Sequence, residues 1–251
     1  MPVLPMKTIA ITNDDGYTEG VRILLEFAKK LGKAYAIIPS RQRSAVSVAM
    51  TLHKPMRLYE IEKDIYTLSG TPADCAGFAI SCDEFPKPDV LFSGINWGDN
   101  AGIGPLLGSG TIGACWQAAT YNTPAVAFSL HSGKDRMGWM KKENWKYPEK
   151  IKGAMGRAWK EIEPQLKEWS FFVVNMPSPE KLDGAEIVFT KKMQRRRYKI
   201  LIEKREDPYG HPYYWLGGGE RPIEEGTDYW EVAKNGNISI TRINLDGLFK
   251  K

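Results

Sequence analysis

Thr8-Ile9-Ala10-Ile11-Thr12 runs straight into Asn13-Asp14-Asp15-Gly16. The first five residues have the apolar, β-branched make-up of a short buried strand, and the next four are turn formers that stop it. From there apolar residues recur at Val21, Leu24, Leu25, Ala28 and Leu31, the spacing of one helix face, with Gly32 read as its close. A second strand, Ala34 to Ile38, ends at Pro39. The chain therefore opens as strand–helix–strand, the unit of a parallel sheet.

Outward from that unit the alternation continues. Ile65 to Leu68 is strand-like, and Thr71-Pro72-Ala73-Asp74 starts a helix toward Ser81, with Pro72 suited to its first position. Asp89 to Ser93 is a strand that Gly94 is expected to end. Ser109 begins a helix through Tyr121. Ala125 to Leu130 and Phe171 to Val174 are further strands, separated by a helix over roughly Trp145 to Ile162. The predicted fold is α/β, a doubly wound, mostly parallel, Rossmann-like sheet with helices on both faces. The rhythm stops after Pro177. Two strand candidates, Glu186 to Thr190 and Tyr198 to Glu203, flank the basic run Lys191, Lys192, Arg195, Arg196 and Arg197. An aromatic, glycine-rich stretch from Tyr209 to Gly219 follows, and Ile238 to Thr241 closes the structured part as a strand. Residues 1–180 are accordingly expected to be the core carrying the active site. Residues 181–251 are expected to be a hairpin arm and closing strand that packs on another subunit.

Composition bounds the function. The 251 residues are 42% hydrophobic and 26% charged, ordinary for one sizeable globular domain with an extension. A net charge of +5 suits an anionic ligand but is too mild to argue for nucleic acid, and the basic run is expected to be a solvated hairpin tip or positive charge beside an anionic crevice. No apolar run approaches the ~18 residues of a membrane span, and residues 1–7 lack the pattern of a signal peptide, so the expected location is the cytoplasm. Cys75, Cys82 and Cys115 form no metal-ligand spacing and are expected to be free thiols. His53, His131 and His211 show no ligand spacing and no evident acidic partner. GxGxxG after the first strand, the P-loop pattern and the GxSxG elbow are all absent.

In an open α/β sheet, ligands bind beyond the carboxyl ends of the strands, and three loops stand there. In Asn13-Asp14-Asp15-Gly16, two adjacent carboxylates repel unless a cation lies between them. A bend at Gly16 lets both converge, and such hard oxygens suit Mg²⁺ or Mn²⁺. The same four residues also fit a polar turn capping the next helix. The loop Ser93 to Asn100 offers Asn96, whose amide can give a carbonyl oxygen to a metal or an N–H to a phosphate. It equally fits an ordinary Gly/Asn loop. Gly108-Ser109-Gly110-Thr111 precedes a helix with small residues Gly113, Ala114, Ala118 and Ala119, so exposed amides at a helix start could hold phosphate. Ser109 or Thr111 could also be a simple cap. A weaker candidate is Ser40 to Thr51, where Ser44 could reach the crevice and Arg41 and Arg43 could add charge.

Taken together these segments resemble the SurE family of 5′/3′-nucleotidases, also called survival protein E. The matching stretches are Ile11 to Tyr17 (ITNDDGY), Gln42 to Thr51 (QRSAVSVAMT), Ser69 to Cys75 (SGTPADC), Pro88 to Asn100 (PDVLFSGINWGDN) and Gly108 to Ala114 (GSGTIGA). Asp207 to Gly218, Gly226 to Asp228 and Ile238 to Thr241 extend the likeness over nearly the whole chain. The resemblance implies a divalent-metal-dependent phosphomonoesterase that hydrolyses nucleoside 5′- and 3′-monophosphates with metal-activated water. It implies metal ligands Asp14, Asp15, Ser44 and Asn96, and one Mg²⁺ or Mn²⁺ per subunit. Asp14, Asp15 and Asn96 would then be catalytic, and Asn13, Asn96, Ser109, Gly110 and Thr111 would bind substrate. It also implies a homodimer or homotetramer built through an exchanged C-terminal hairpin. Ser69 to Cys75 would support the crevice. Three departures stand out: Ala45 follows the ligand serine where the family usually has glycine, Gly108 replaces a usual tyrosine, and Arg242 replaces a usual proline. Rival readings are a broad phosphatase or exopolyphosphatase, and a nucleotide-binding regulator without turnover.

Overall fold

A computed structural model describes residues 7–133, 145–219 and 221–248. Strands β1 (Lys7–Thr12), β2 (Gly32–Pro39), β3 (Leu58–Glu62), β4 (Ile65–Leu68), β5 (Val90–Trp97), β6 (Ala125–Leu130), β7 (Ser170–Met176), β8 (Ile187–Phe189) and β11 (Ile238–Asn244) form one nine-stranded sheet in the order β3-β4-β2-β1-β5-β6-β7-β11-β8. The six central strands from β4 to β7 run parallel, while β3 and β11 are antiparallel to their inner neighbours. Residues beyond 180 thus return to the sheet through β8 and β11.

The strands read as unbroken apolar runs because both faces are covered. In β1, Ile9 and Ile11 face one core and Ala10 faces the other. In β6, Val126 and Phe128 face the first, and Ala125 and Ala127 the second. Helices α1 (Glu19–Lys29) and α5 (Pro148–Ile162) cover the first face, with Leu24, Phe27, Met155 and Trp159 packed beneath them. Helices α2 (Pro72–Ser81) and α4 (Gly110–Thr120) cover the second; Ala114, Ala118 and Ala119 let α4 lie close to the strands. The short α3 (Ile103–Gly108) precedes α4. From β1 the chain goes to β2 and β4 on one side, then crosses to β5 on the other. The switch point, where an open α/β sheet parts to admit a ligand, therefore lies between β1 and β5.

Several expectations need correction. Gly94 does not end β5: the strand runs on to Trp97 after a shift of register against β6 between Ser93 and Asn96, and Asn96 pairs with Ser129. Gly32 does not close α1, which stops at Lys29; it opens β2 instead, packed against the backbone of Lys7. Strand β3 has four exposed residues out of five and was not foreseen. The two candidates flanking the basic run are not partners. β8 joins the main sheet, whereas β9 (Leu201–Glu206) pairs antiparallel with β10 (Pro212–Gly217), inside the aromatic stretch. The hairpin tip is therefore the turn at Asp207 to Gly210, and Lys191 to Arg197 is the segment crossing from sheet to arm.

Candidate functional site

The turn after β1 is built from its own side chains. Asn13 donates its amide to the Gly16 carbonyl (2.7 Å) and accepts from the Gly16 amide (3.1 Å). Gly16 takes a left-handed φ of 77°, and a side chain there would press on the Pro39 carbonyl. This bend leaves Asp14 and Asp15 both buried at the sheet edge. Asn13 does not line the cavity in front of them; its polar atoms hold the turn.

Helix α4 starts directly against Asp14. Ser109 caps it, accepting from the Ile112 amide. A Cβ on Gly110 would fall 2.8 Å from the Asp14 Cβ, so only glycine allows the approach. Thr111 is fully buried and donates its hydroxyl to Asp14 (2.6 Å). The start of α4 therefore serves the carboxylate first. Of the three residues expected to hold phosphate there, Ser109 lines the cavity, while Gly110 and Thr111 sit behind Asp14.

Burial raises the Asp14 pKa, opposed by the Thr111 hydroxyl and by the amides of Thr111 and Gly110. Asp15 is pushed up to about 7 by burial and by the neighbouring charge of Asp14, against hydrogen bonds from the Gln42 side chain and the Trp97 amide. Two adjacent carboxylates that resist ionising together are a site short of positive charge.

Ser44 and Asn96 line the same cavity as Asp14, Asp15 and Ser109, so all five converge from four separate segments of the chain. The Asn96 amide donates to the Gly98 carbonyl (2.5 Å), which leaves its side-chain oxygen free. The serine loop is held from both sides. Arg43 donates its backbone amide to the Asp14 carbonyl (2.7 Å), and Ser47 bonds the carbonyls of Leu107 and Gly108. Below it, Thr71 and Asp74 form a capping box on α2. Asp74 also accepts from the Thr51 amide (2.9 Å), and Thr71 donates to Ala49 (2.5 Å). Ser69 to Cys75 thus supports the crevice by tethering the loop that carries Ser44. Ala45 adopts a left-handed φ of 56°, which explains a glycine preference at that position.

The cavity is about 1040 Å³. Its positive wall comes not from Arg41 or Arg43, which do not line it, but from Arg195, Arg196, Arg197, Lys199 and Arg221 at the root of the arm. Gln42 and Asn100 also line it and were not singled out beforehand. Asn100 donates to Ser129 (2.9 Å) and, through its backbone, to Asn175 (2.7 Å), contacts that no local pattern announces. His131 does have an acidic partner, contrary to expectation. Its Nδ1 lies 2.7 Å from Asp99, which also pairs with Arg197. Burial alone would raise the Asp99 pKa, but the His131 hydrogen bond and the Arg197 charge outweigh it and hold the carboxyl below its usual range. Among the described residues no three His, Cys, Asp or Glu side chains cluster as a metal site. Cys75 and Cys115 are buried free thiols, and Cys82 is half-buried. Among the described residues no helix is long and apolar enough to cross a membrane.

Known proteins resemble this chain in sequence and in fold. The sequence pattern of the family described as Survival protein SurE matches residues 9–199. A relative named 5'-nucleotidase SurE from Aquifex aeolicus is 34% identical, over 96% of this chain and 93% of its own. One of the same name from Thermococcus kodakarensis is 37% identical over 95% and 92%. The crystal structure of the Aquifex aeolicus SurE protein superposes with a TM-score of 0.76 at 33% identity, covering 95% of this chain and 94% of that one. The chain belongs to the SurE family.

Proposed function

We propose that the protein is a divalent-metal-dependent nucleotidase that hydrolyses nucleoside 5′- and 3′-monophosphates to nucleoside and phosphate. The observation that carries this is the buried pair Asp14–Asp15 facing a nucleotide-sized cavity together with Ser44, Asn96 and Ser109. The relatives named 5'-nucleotidase support the substrate class.

The donor set fits Mg²⁺ or Mn²⁺. It is all oxygen, with two carboxylates, a hydroxyl and an amide carbonyl, and the raised Asp15 pKa is what a cation would relieve. Asp14, Asp15, Ser44 and Asn96 would hold the ion. A bound cation supplies charge neutralisation and Lewis acidity toward a phosphoryl oxygen. The chain does the rest. Thr111 and the start of α4 orient Asp14. Ser109 and Asn100 line the cavity, where the Ser109 hydroxyl proton and the second N–H of the Asn100 amide would bond the equatorial phosphoryl oxygens. Asp99 draws Arg197 into the wall, closing the crevice toward the arm.

Assembly is part of the same proposal. β9 and β10 are exposed along their whole length and carry Leu201, Ile202, Tyr214, Trp215 and Leu216 on a two-stranded ribbon, which does not stand alone in water. A homodimer or homotetramer through this arm would cover it. Cytoplasmic residence, where nucleotides and free thiols such as Cys75 and Cys115 persist, completes the reading.

The test is metal removal. Protein stripped with EDTA is expected to release no phosphate from AMP, GMP or 3′-AMP, and to recover release when Mg²⁺ or Mn²⁺ is restored. Failure to release phosphate from any of them with either metal would overturn the proposal.

A further inference from the structure

The basic wall of the cavity holds more positive charge than a single phosphate needs. Five cations line it: Arg195, Arg196, Arg197, Lys199 and Arg221. Arg197 is committed to Asp99, and Arg195 to Glu224. The other three, Arg196, Lys199 and Arg221, have no carboxylate partner among the described residues. Asp14 and Asp15 would balance a divalent cation between them, so that pair and its ion leave no net charge to offset the phosphate being cleaved. A phosphate monoester carries about −1.5 to −2 charge near neutral pH. The three remaining cations therefore exceed one phosphate by about one charge, a surplus that a second phosphate on the same ligand would meet.

Two of the three cations are held at the arm's root by the backbone. Lys199 donates its amide to the Gly219 carbonyl (2.8 Å), and Arg221 donates to the Arg197 carbonyl (2.9 Å). These bonds tie Lys199 to Gly219 and Arg221 to Arg197, the residue after Arg196, so the two segments at the arm's root run together. The same surface extends past the cavity. Arg195, Arg196 and Arg221 also line an adjoining hollow of about 560 Å³, with Pro222 and Glu224, that touches none of Asp14, Asp15, Ser44 or Asn96. Arg196 and Arg221 thus stand where the cavity meets a hollow that Asp14 and Asp15 do not line. Guanidinium groups suit a phosphate bound there, because each can offer paired N–H donors.

We propose that Arg196, Lys199 and Arg221 form a second phosphate subsite, and that the enzyme takes nucleotides carrying two phosphates on the ribose, such as a nucleoside 3′,5′-bisphosphate. This rests on the nucleotidase reading of the Asp14–Asp15 end. One phosphate docks on the basic group while the other is cleaved. Water forms a bond to that phosphorus, the phosphorus–oxygen ester bond breaks, and the leaving alkoxide takes a proton from solvent. The products are a nucleoside monophosphate and inorganic phosphate.

The experiment compares adenosine 3′,5′-bisphosphate with AMP, and adds tripolyphosphate as a third substrate. In the wild-type protein with Mg²⁺ or Mn²⁺, kcat/KM for the bisphosphate is expected to exceed that for AMP by about tenfold or more, the worth of one charge-assisted hydrogen bond. Arg196→Ala/Arg221→Ala should collapse that ratio toward one. Lys63→Ala/Lys87→Ala, which removes the same charge outside the cavity, should preserve it. Binding to Asp15→Asn, followed by calorimetry at near-physiological salt, reads the subsite without turnover and should show the same preference. A wild-type ratio near one, or a ratio that the Arg196/Arg221 variant leaves intact, overturns the inference. So does a variant that loses only tripolyphosphate cleavage, which would assign the basic group to a linear chain. Preferential bisphosphate binding without hydrolysis of any substrate would keep the subsite and sink the nucleotidase reading instead.

Discussion

Between β1 and β5, Asp14 is buried under the start of α4, held by Thr111, and flanked by a loop pinned to both α2 and α3. Along β9 and β10, by contrast, every residue is exposed and the two strands pair only with each other. The crevice gets its geometry from contacts within one chain. The arm has paired its backbone but has no core beneath it, so its apolar side chains stand exposed. On the proposed reading, chemistry and assembly fall to different parts of the molecule, and Arg195 to Arg197, which line the crevice, lead from one to the other.

The largest effect should come from breaking the crevice. Asp15→Asn is expected to cut phosphate release beyond the ~100-fold upper range of an outer-shell change, with the fold intact by circular dichroism. Undiminished turnover would remove Asp15 from the metal site. Next comes the arm. Trp215→Asp with Leu216→Asp should weaken self-association by about 2–4 kcal/mol, seen as a fall in mass by light scattering across micromolar concentrations. A wild-type protein that is already a monomer there would count against an exchanged arm.

A subtler contrast concerns pH. The folded-state pKa of Asp15 stands at about 7, against 3.8 for the free side chain, and Asp14 shifts the same way. The folded protein therefore binds these protons more tightly than the unfolded chain does. Their contribution to stability is complete below about 3.8 and is lost as pH rises through about 7. Metal-stripped protein should melt several degrees lower at about pH 8 than at about pH 5. Mg²⁺ or Mn²⁺ should reverse most of the loss, and Asp15→Asn should flatten it. A melting temperature that rises over this range in the stripped protein would contradict the assignment of cause. Smallest is Ala45→Gly. It relieves a left-handed residue at a cost in chain entropy, for a net gain of about 0.5–1 kcal/mol in urea unfolding. A loss of stability would mean that the Ala45 methyl packs usefully in the loop.

Much of this was legible locally. Ile65 to Leu68 and Ala125 to Leu130 announce strands at the bounds observed, the second because burial on both faces leaves little room for polar residues. Thr71-Pro72-Ala73-Asp74 carries its own capping chemistry and marks the start of α2. Asp14, Asp15, Ser44, Asn96 and Ser109 could be nominated because oxygen donors after strand ends are unusual enough to notice. Gly94 misled, because a glycine read as a breaker can also sit inside a strand whose register shifts. β10 was hidden because an exposed ribbon has no buried face to impose alternation.

By itself, then, the amino-acid sequence determined the α/β alternation, the polar strand ends and the presence of an aromatic C-terminal segment outside that rhythm. These are properties of neighbours in the chain, set by periodicity and turn chemistry. Only the tertiary structure decided that Thr111 and Gly110 serve Asp14, that Asp99 binds both His131 and Arg197, and that of the two readings of the basic run Arg195 to Arg197 line the crevice and form no hairpin tip. Each of those joins residues about 30 to 100 positions apart. Such pairings come from how the strands are ordered around the switch point, and no local pattern encodes that order.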